Sequence, residues 1–228
     1  MVINKLKSMA RRMLRPPLHS VKIALPYVFL GTEYGGWPLL KATPNNALVY
    51  SFGIGEDISF DIAAIKEFGC IVHGFDPTPR SKIWIEKQPL PEKFIFHSIG
   101  IADHDGKEKF FPPKKSEHVS YSIQPAEGLN EDSIVVEDVA RLQTIIDELK
   151  TGYPQVLKMD IEGFEYSVIE DILKGSIRPK QLLVEFHHGM YGFSSSRTEE
   201  AVTQLSTCGY KLFYVSSSGH EYGFVFDE

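Results

Sequence analysis

The stretch ALVYSFGIGED, residues 47–57, joins a short apolar run to a pair of glycines and a pair of acidic residues. An apolar run of this length that ends at glycine predicts a buried strand over residues 47–52. Residues 57–68 then place apolar side chains at helical spacing, and residues 71–75 form a second apolar run that ends at Asp76. Strand, helix and strand in this order predict a parallel β-α-β unit.

The same alternation continues along the rest of the sequence. Apolar runs and amphipathic periods predict further strands at 94–99, 134–139, 155–159, 181–186, 211–216 and 222–226, and helices at 142–149, 165–173 and 198–207. The connection Ser217-Ser218-Gly219 between the last two strands is too short for a parallel crossover, so we expect these strands to pair antiparallel. The predicted fold class is α/β, with a doubly wound, mostly parallel Rossmann-like sheet and an antiparallel C-terminal hairpin.

Two segments depart from this alternation. Residues 101–115 are polar and then aromatic, and the turn signal at 105–106 predicts a hairpin or a loop excursion. Residues 116–130 show no period, and we expect a loop there that faces the substrate.

Length and composition limit the class of protein. A chain of 228 residues, 43% hydrophobic and 24% charged, is long enough for one ordinary domain with a sizeable core. This composition excludes a collagen, a disordered chain and a disulfide scaffold.

We divide the chain into a basic arm with a glycine- and aromatic-rich loop, residues 1–45, and a Rossmann-like domain, residues 46–228. Cys70 and Cys208 lie in apolar contexts, which predicts buried free thiols in a reducing compartment.

Charge is unevenly distributed. The formal net charge is −6, yet residues 1–15 carry five basic and no acidic side chains, so the remainder is more acidic still. An acidic main domain argues against a nucleic-acid partner. The arm has the pattern of a short amphipathic helix that contacts an anionic membrane surface, or of a helix that packs on its own domain. The apolar stretch at 21–30 is too short and interrupted for a membrane span or a secretory signal, which predicts a cytoplasmic protein.

Residues after the first two predicted strands indicate a nucleoside cofactor. In open α/β sheets, ligands bind beyond the carboxyl ends of the strands, near the point where the strand order reverses. Gly53 and Gly55 let the backbone turn tightly and approach a ligand, and Asp76 can accept hydrogen bonds from both hydroxyls of a ribose. Glu56 and Asp57 at the helix start would repel a diphosphate and attract a positive amino group. The pattern therefore favours S-adenosylmethionine over a dinucleotide, whose fingerprint also needs a third glycine.

The third predicted strand leads into Ser98, Ile99 and Asp103. Ser98 and Ile99 offer a backbone donor and an apolar contact for an adenine ring, with Asp103 near the exocyclic amine of that ring. The alternative is an ordinary transition from strand to turn, and the sequence leaves both interpretations open.

The segment KMDIEGFE, residues 158–165, places three carboxylates at a strand end. We expect Asp160 to point into the cleft and Glu162 to lie in the first helical turn, where negative charge is favourable. One strand further on, Glu185 and His187 alternate onto one side of the chain, and histidine is well suited to proton abstraction near neutral pH. The same four residues are alternatively ligands for a divalent metal, with Asp160, Glu185 and His187 as the metal candidates.

These residues resemble those of the FkbM family of S-adenosylmethionine-dependent methyltransferases. The resemblance covers roughly residues 47–226, and its most specific element is the Lys-Met-Asp-Ile-Glu-Gly-x-Glu run. It rests on five segments: VYSFGIGEDISFD at 49–61, GFDPTP at 74–79, SIGIADHDG at 98–106, VLKMDIEGFEYSVIEDIL at 156–173 and LLVEFHH at 182–188. The chain departs from the usual class I pattern at Ser51-Phe52, where a carboxylate commonly precedes the glycines.

The resemblance implies a Rossmann-like class I enzyme that methylates a hydroxyl of a sugar, a glycan or a secondary metabolite. It carries over Gly53, Gly55 and Asp76 as cofactor contacts. It also carries over Asp160 and Glu162 as carboxylates of the cleft. We therefore expect an S-adenosylmethionine-dependent O-methyltransferase with a small-molecule or glycan acceptor.

In the predicted mechanism, Asp160 lines the methyl-transfer site and His187 or Glu162 takes the proton of the acceptor hydroxyl. One alternative is a metal-dependent hydrolase built on the four cleft residues. Another is a binding module that keeps the fold without turnover.

The loop at 32–37, which contains Tyr34, Gly36 and Trp37, either closes over the donor as a lid or packs as part of the arm.

Overall fold

The computed structural model describes residues 17–112 and 134–227, so the predicted arm helix at 1–15 and the loop at 116–130 lie outside the described residues. Twelve strands and five helices lie within these ranges. The strands are β1 Tyr27–Leu30, β2 Trp37–Leu40, β3 Leu48–Phe52, β4 Ile71–Phe75, β5 Phe94–His97, β6 Gly100–Ile101, β7 Gly106–Phe110, β8 Val135–Ala140, β9 Val156–Met159, β10 Gln181–Glu185, β11 Tyr210–Val215 and β12 Glu221–Phe226. The helices are α1 Ser59–Phe68, α2 Pro79–Ile85, α3 Leu142–Leu149, α4 Glu165–Lys174 and α5 Ser195–Thr207. None of the helices in the described ranges has the length and apolarity that a membrane span requires.

Seven strands form the central sheet, in the order β11-β12-β10-β9-β3-β4-β5. Strands β3, β4, β5, β9 and β10 pair in parallel, whereas β12 pairs antiparallel with both β10 and β11. The predicted α/β class, parallel sheet and antiparallel C-terminal pair are therefore confirmed. The chain runs outward from β3 to β5 on one side and from β9 to β11 on the other, so the strand order reverses between β3 and β9.

The two faces of the sheet are covered by different elements, because side chains alternate along each strand. Tyr50 and Phe52 of β3 share a core cluster with residues of α3, α4 and α5. Val49 belongs to the opposite cluster, with residues of α1, α2 and the β1–β2 hairpin. Trp37 and Leu39 of that hairpin are 3% and 0% exposed. The hairpin thus covers part of the second face, in a segment where the sequence indicated no strands.

Helix α1 begins and ends at residues suited to those positions. The side chain of Asp57 accepts a hydrogen bond from the backbone N–H of Ser59 at 2.7 Å, which satisfies a free donor of the first turn. Gly69 ends the helix in the left-handed region at φ 64° and donates its N–H to the carbonyl oxygen of Ile65. The helix start therefore lies directly after the glycines that follow β3.

The carboxyl ends of four neighbouring strands are tied together by backbone hydrogen bonds. In each bond, the residue after one strand donates its N–H to the carbonyl oxygen of the last residue of the next strand. Asp160 after β9 reaches β3 at 3.2 Å, Gly53 after β3 reaches β4 at 2.9 Å, and Asp76 after β4 reaches β5 at 3.2 Å. These residues therefore lie on one continuous edge at the reversal of strand order, where doubly wound folds bind ligands.

The region around β6, β7 and β8 differs from its prediction. The strand predicted at 94–99 ends at His97, and the next two-residue strand, β6, pairs with β8. Strand β7 pairs antiparallel with β8, so the excursion predicted at 101–115 closes on a strand that is distant in sequence. The three strands form a separate small sheet in the order β6-β8-β7. Local turn signals indicate where a chain reverses. They do not identify a pairing strand such as β8, which follows residues 113–133 in the sequence.

Candidate functional site

The glycine loop, residues 53–57, follows β3 at the reversal of strand order. Gly53 has φ +74°, and a Cβ on it would lie 1.7 Å from the carbonyl oxygen of Asp160, so only glycine fits between these strand ends. Gly55 has φ +53°, and a Cβ there would meet no atom of the described residues within 4 Å. Gly53 therefore permits close packing, whereas Gly55 leaves open space beside the backbone that a ligand can enter.

Asp76 follows β4 and fastens the glycine loop. Its Oδ2 accepts a hydrogen bond from the N–H of Gly55 at 3.0 Å, and its Oδ1 accepts two from the N–H and hydroxyl of Thr78 at 2.9 and 2.6 Å. Burial raises the pKa of Asp76, and these hydrogen bonds oppose the rise. The side chain of Ser81 also interacts with this buried carboxyl group. Contact of Asp76 with the hydroxyls of a ribose stays a prediction.

Glu56 and Asp57, at the end of the glycine loop, are each engaged by protein partners. Glu56 pairs with Arg80 of α2, with Nε–Oε1 at 2.8 Å and a second nitrogen–oxygen contact at 3.1 Å. Asp57 accepts hydrogen bonds from the N–H of Ser59 at 2.7 Å and the hydroxyl of Thr32 at 2.8 Å. Burial alone would raise the pKa of Asp57, but these hydrogen bonds hold it below its ordinary value. Contact of either carboxylate with a ligand amino group stays a prediction.

The three residues predicted to contact adenine follow β5. Ser98 and Asp103 are exposed, and Ile99 is half-buried against the core cluster that α3, α4 and α5 cover. The carboxylate of Asp103 lies 3.0 Å from Nδ1 of His104. Ser98 and Ile99 directly follow β5, whereas Asp103 follows β6, and the contact of all three with a ligand stays a prediction.

The segment after β9 brings Asp160 and Glu162 next to His187. Nε2 of His187 lies 3.1 Å from Oε2 of Glu162 and 3.8 Å from Oδ1 of Asp160. Glu162 has φ +53°, which is uncommon for a residue with a Cβ, and it accepts a hydrogen bond from the hydroxyl of Tyr191 at 2.5 Å. A strained backbone held by its side-chain partners is often found at functional sites. Helix α4 begins at Glu165, so Glu162 lies before the helix and not in its first turn as predicted.

Glu165 is fully buried behind His187. Its carboxylate lies 2.8 Å from Nδ1 of His187 and accepts hydrogen bonds from the N–H groups of Ile161 and Gly163 at 3.1 and 3.0 Å. Burial alone would lower the pKa of His187, but Glu165 and Glu162 together raise it well above its ordinary value. Carboxylates on both sides of the ring therefore favour the protonated form of His187, which makes it a poor proton acceptor.

Asp160, directly after the end of β9, is better placed than His187 to accept a proton. Burial raises the pKa of Asp160 to about 6, with Lys158 opposing the rise and Glu162 adding to it. Burial and the charge of Asp160 raise the pKa of Glu185 well above its ordinary value. The side chain of Asp160 is 29% exposed, so it is accessible from the cleft. A carboxyl group with a pKa near neutrality is suited to proton transfer at physiological pH.

Asp160, Glu185 and His187 also form a candidate metal-ligand cluster. One ligand atom of each lies within 4.8 Å of the others. Carboxylate and imidazole ligands suit a divalent ion such as Mn²⁺ or Zn²⁺. Metal-binding histidines commonly donate their other N–H to a carboxylate, and the carboxylate of Glu165 lies 2.8 Å from Nδ1 here, although the two atoms are not aligned for a hydrogen bond. The three residues therefore fit a divalent metal, provided that Nε2 of His187, the nitrogen that faces Glu162, is deprotonated.

The turn between β1 and β2 reaches the same edge of the sheet. The hydroxyl of Thr32 donates to Asp57 at 2.8 Å and so ties this turn to the glycine loop. Tyr34 is exposed at the tip, where the surrounding protein and then the charge of Asp160 raise the pKa of its hydroxyl. Trp37, by contrast, is buried in the core. The lid predicted over 32–37 stays a prediction for the turn around Tyr34, whereas Trp37 is a fixed part of the core.

A further pair of charged groups lies beneath the glycine loop. Lys158 of β9 is 5% exposed, and its ammonium donates to the carbonyl oxygens of Phe52 and Gly53 at 3.3 and 3.0 Å. Asp61 of α1 is 2% exposed, and its Oδ1 has no hydrogen-bond partner among the described residues. Burial raises the pKa of Asp61 to about 6, with Lys158 opposing the rise. A carboxyl group with a raised pKa destabilises the folded state at higher pH, because it must ionise there.

We expect Asp61→Asn to stabilise the protein at pH 7.5 and to have little effect at pH 4.5. The folded-state pKa of about 6 exceeds the ordinary value of about 3.9. The contribution of Asp61 to the free energy of unfolding is therefore largest at pH values below the ordinary pKa. It is lost as the pH rises through the folded-state pKa. Urea unfolding at both pH values should show a gain on the order of 2 kcal/mol at pH 7.5. The control is Asp147→Asn, at an exposed position on α3. An equal gain at both pH values would contradict this explanation.

A family model described as a methyltransferase FkbM domain matches residues 50–212. The chain belongs to the FkbM methyltransferase family. The match begins in β3 and ends in β11, so it includes the glycine loop, Asp76 and the acidic segment after β9.

Curated relatives of this FkbM domain include two proteins called probable methyltransferase-like protein 24. The human protein is 25% identical and the rat protein 27% identical, each over 159 residues. The alignments cover 69% of this chain and 37% of each relative. The chain therefore spans little more than a third of the length of the curated relatives that it matches.

A crystal structure of methyltransferase FkbM from Methylobacillus flagellatus KT has the same fold. It superimposes with a TM-score of 0.51 at 16% sequence identity, and the match covers 82% of this chain and 45% of that chain. At this identity, the likeness shows a common fold alone.

Three residues of the site in this FkbM domain were not identified as site residues from the sequence. Lys158 had a visible signal, since it is a charged residue inside an otherwise apolar strand. Glu165 resembles an ordinary acidic residue in a first helical turn, where negative charge needs no special explanation. Tyr191 lies in a segment with no period, so only the tertiary structure shows its hydrogen bond to Glu162.

Proposed function

We propose that this FkbM domain is an S-adenosylmethionine-dependent O-methyltransferase. One observation carries the proposal: two unlike half-sites meet where the strand order reverses. The glycine loop and Asp76 form one half, and Asp160 with Glu185 forms the other. Because Gly53 packs directly on the backbone of Asp160, a ligand held by the glycine loop would lie beside the carboxylates.

The first half-site fits the donor. The open space beside Gly55 admits a ligand close to the backbone, and Asp76, which accepts the N–H of Gly55, is the carboxylate that we assign to the ribose hydroxyls. The acidic edge suits a cofactor that carries sulfonium and ammonium charges better than one that carries a diphosphate. We assign donor binding to this half-site, with Ser98, Ile99 and Asp103 continuing it toward the adenine.

The second half-site fits the transfer step. When bound, the cofactor supplies an activated methyl group, to which an acceptor oxygen bonds as the carbon–sulfur bond breaks and the hydroxyl proton leaves. Asp160 accepts that proton, because its side chain is open to the cleft and its pKa is about 6. His187 orients Asp160 and Glu162 by its positive charge. This assignment differs from the sequence-based expectation, in which His187 or Glu162 was the base, since carboxylates already face both ring nitrogens.

The proposed acceptor is a hydroxyl of a sugar, a glycan or a secondary metabolite. Glu185 lies on the side of Asp160 remote from the glycine loop, since β10 and β3 flank β9. A carboxyl group can form hydrogen bonds with hydroxyl groups whether or not it is ionised, so Glu185 is suited to hold such an acceptor. A nucleic acid is disfavoured, because its phosphates would meet this acidic edge.

The metal-ligand cluster favours a second candidate, a metal-dependent hydrolase that uses Asp160, Glu162, Glu185 and His187. The observation in its favour is the convergence of ligand atoms within 4.8 Å. This candidate requires a divalent ion and has no use for an adenosyl donor. A single measurement of S-adenosylhomocysteine binding therefore distinguishes the two candidates.

Calorimetric titration of the metal-stripped protein with S-adenosylhomocysteine, with NAD as the control ligand, tests the proposal. We expect saturable binding of S-adenosylhomocysteine and none of NAD, because the acidic edge repels a diphosphate. Binding that appears only after Mn²⁺ is added would mean that the metal-ligand cluster organises the donor site. Absence of binding under both conditions would overturn the proposal and leave the hydrolase. Binding without turnover on a panel of hydroxyl acceptors would identify a binding module.

A further inference from the structure

Lys158 stands inside β9, one of the central strands of the sheet. Its strand neighbours Val156, Leu157 and Met159 are each 0% exposed, and Lys158 itself is 5% exposed. Strands buried on both faces are normally apolar throughout, and a lysine is almost never buried unless its ammonium is fully partnered. The side chain therefore has a role that an apolar residue of the same length would not perform.

The partners of the ammonium converge on the start of the glycine loop. Nζ donates to the carbonyl oxygen of Phe52 at 3.3 Å and to that of Gly53 at 3.0 Å. It also lies 5.5 Å from the centre of the Trp37 ring, within the range of a cation–π contact. One charged group thus links β9, the end of β3 and the β1–β2 hairpin.

Polar atoms of β3 and α1 lie in the same buried region. The hydroxyl of Ser51 and Oδ1 of Asp61 are buried, and neither has a hydrogen-bond partner among the described residues. The charge of Lys158 acts on Asp61 and on Asp160 and favours the ionised form of each. Lys158 therefore supplies a positive charge that acts on the buried carboxyl group of Asp61.

We propose that Lys158 is a positioning residue that holds the backbone of the glycine loop in the conformation that binds the donor. Its ammonium fixes the two carbonyl groups just before Gly55, and the loop cannot keep that geometry when the ammonium is removed. The proposal rests on the donor site assigned above. On this proposal, the affinity for the donor depends on a side chain that lies beneath the glycine loop and makes no contact with the donor.

Lys158→Met tests the proposal, because methionine keeps the length and removes the charge and the donors. We expect the dissociation constant for S-adenosylhomocysteine to rise about ten-fold or more, measured by calorimetry at a temperature where the variant is folded. The matched control is Leu157→Ala in the same strand. It removes a fully buried side chain from the opposite face, so it should lower the melting temperature and leave the dissociation constant within about two-fold.

The outcomes separate the inference from the proposed function. Unchanged affinity in Lys158→Met would overturn the positioning role, as would an equal loss of affinity in Leu157→Ala. Absence of binding in the wild type would instead refute the donor site itself. If Lys158→Met does not fold, the double variant Lys158→Met/Asp61→Asn removes both buried charges, and we expect the same loss of affinity in it. Wild-type affinity in the folded double variant would also overturn the role.

Discussion

Gly53→Ala is expected to destabilise the protein by about 4 kcal/mol or more, or to prevent folding. The new Cβ would lie 1.7 Å from the carbonyl oxygen of Asp160, an overlap that only a backbone shift can relieve. That shift would have to separate β3 from β9, whose ends are joined by the 3.2 Å hydrogen bond from Asp160. Since about 1 kcal/mol corresponds to about 2–4 °C for a chain of this size, thermal unfolding should show a loss of about 8 °C or more.

Gly55→Ala is the matched control, because Gly55 also has positive φ but faces open space. The left-handed backbone alone costs about 1–2 kcal/mol with a Cβ, so the melting temperature should fall much less than in Gly53→Ala. The same Cβ would occupy the space that we assign to the donor, so the affinity for S-adenosylhomocysteine should decrease. Equal losses of stability in the two variants would show that the contact between Gly53 and Asp160 is not what requires a glycine.

Glu165→Gln should destabilise the protein by about 3 kcal/mol, although the two side chains have nearly the same shape. The substitution leaves the buried imidazolium of His187 without one of its two carboxylates, and losing one partner of a buried ion pair is strongly destabilising. It also replaces one of the two oxygens that accept hydrogen bonds from the N–H groups of Ile161 and Gly163. Urea unfolding at pH 6 measures the loss.

The pH dependence of this loss has a definite sign. The pKa of His187 is raised in the folded state, so its contribution is complete below the unfolded value of about 6.5 and decreases as the pH rises toward the folded value. The effect of Glu165→Gln should therefore be larger at pH 6 than at pH 9. Glu170→Gln is the control, because Glu170 lies on the same helix in a partly exposed pair with Arg197, worth about 0–1 kcal/mol. A similar small effect in both variants would mean that His187 is not an imidazolium.

Hydrophobic periodicity was sufficient to predict the central sheet. The strand at Ile71–Phe75 and the helix at Leu142–Leu149 were predicted to the residue, because buried strands and amphipathic helices are determined by the apolar pattern of their own segment. The short Ser-Ser-Gly connection likewise implied the antiparallel pair β11–β12, since no crossover fits in it. The β1–β2 hairpin was missed, because Pro26 and Pro38 interrupt the period of that segment.

The same reasoning located the candidate site and was less successful with its chemistry. The rule for strand ends placed Gly53, Asp76 and Asp160 on one edge, and the structure brings them there. It did not show that Asp76 already accepts three hydrogen bonds from its own chain. Nor did it show that His187 lies between Glu165 and Glu162. These facts change which residue is suited to take a proton.

By itself, the sequence determined the α/β class, the order of most elements and the residues that end the strands, because these depend on short-range pattern and chain connectivity. Only the tertiary structure decided which carboxylates surround His187, the partners of Lys158 and the different surroundings of Gly53 and Gly55. A pKa depends on burial and on charges that several strands bring together, and neither can be read from spacing along the chain. The need for glycine at position 53 likewise comes from the backbone of residue 160, which approaches it only in the folded sheet.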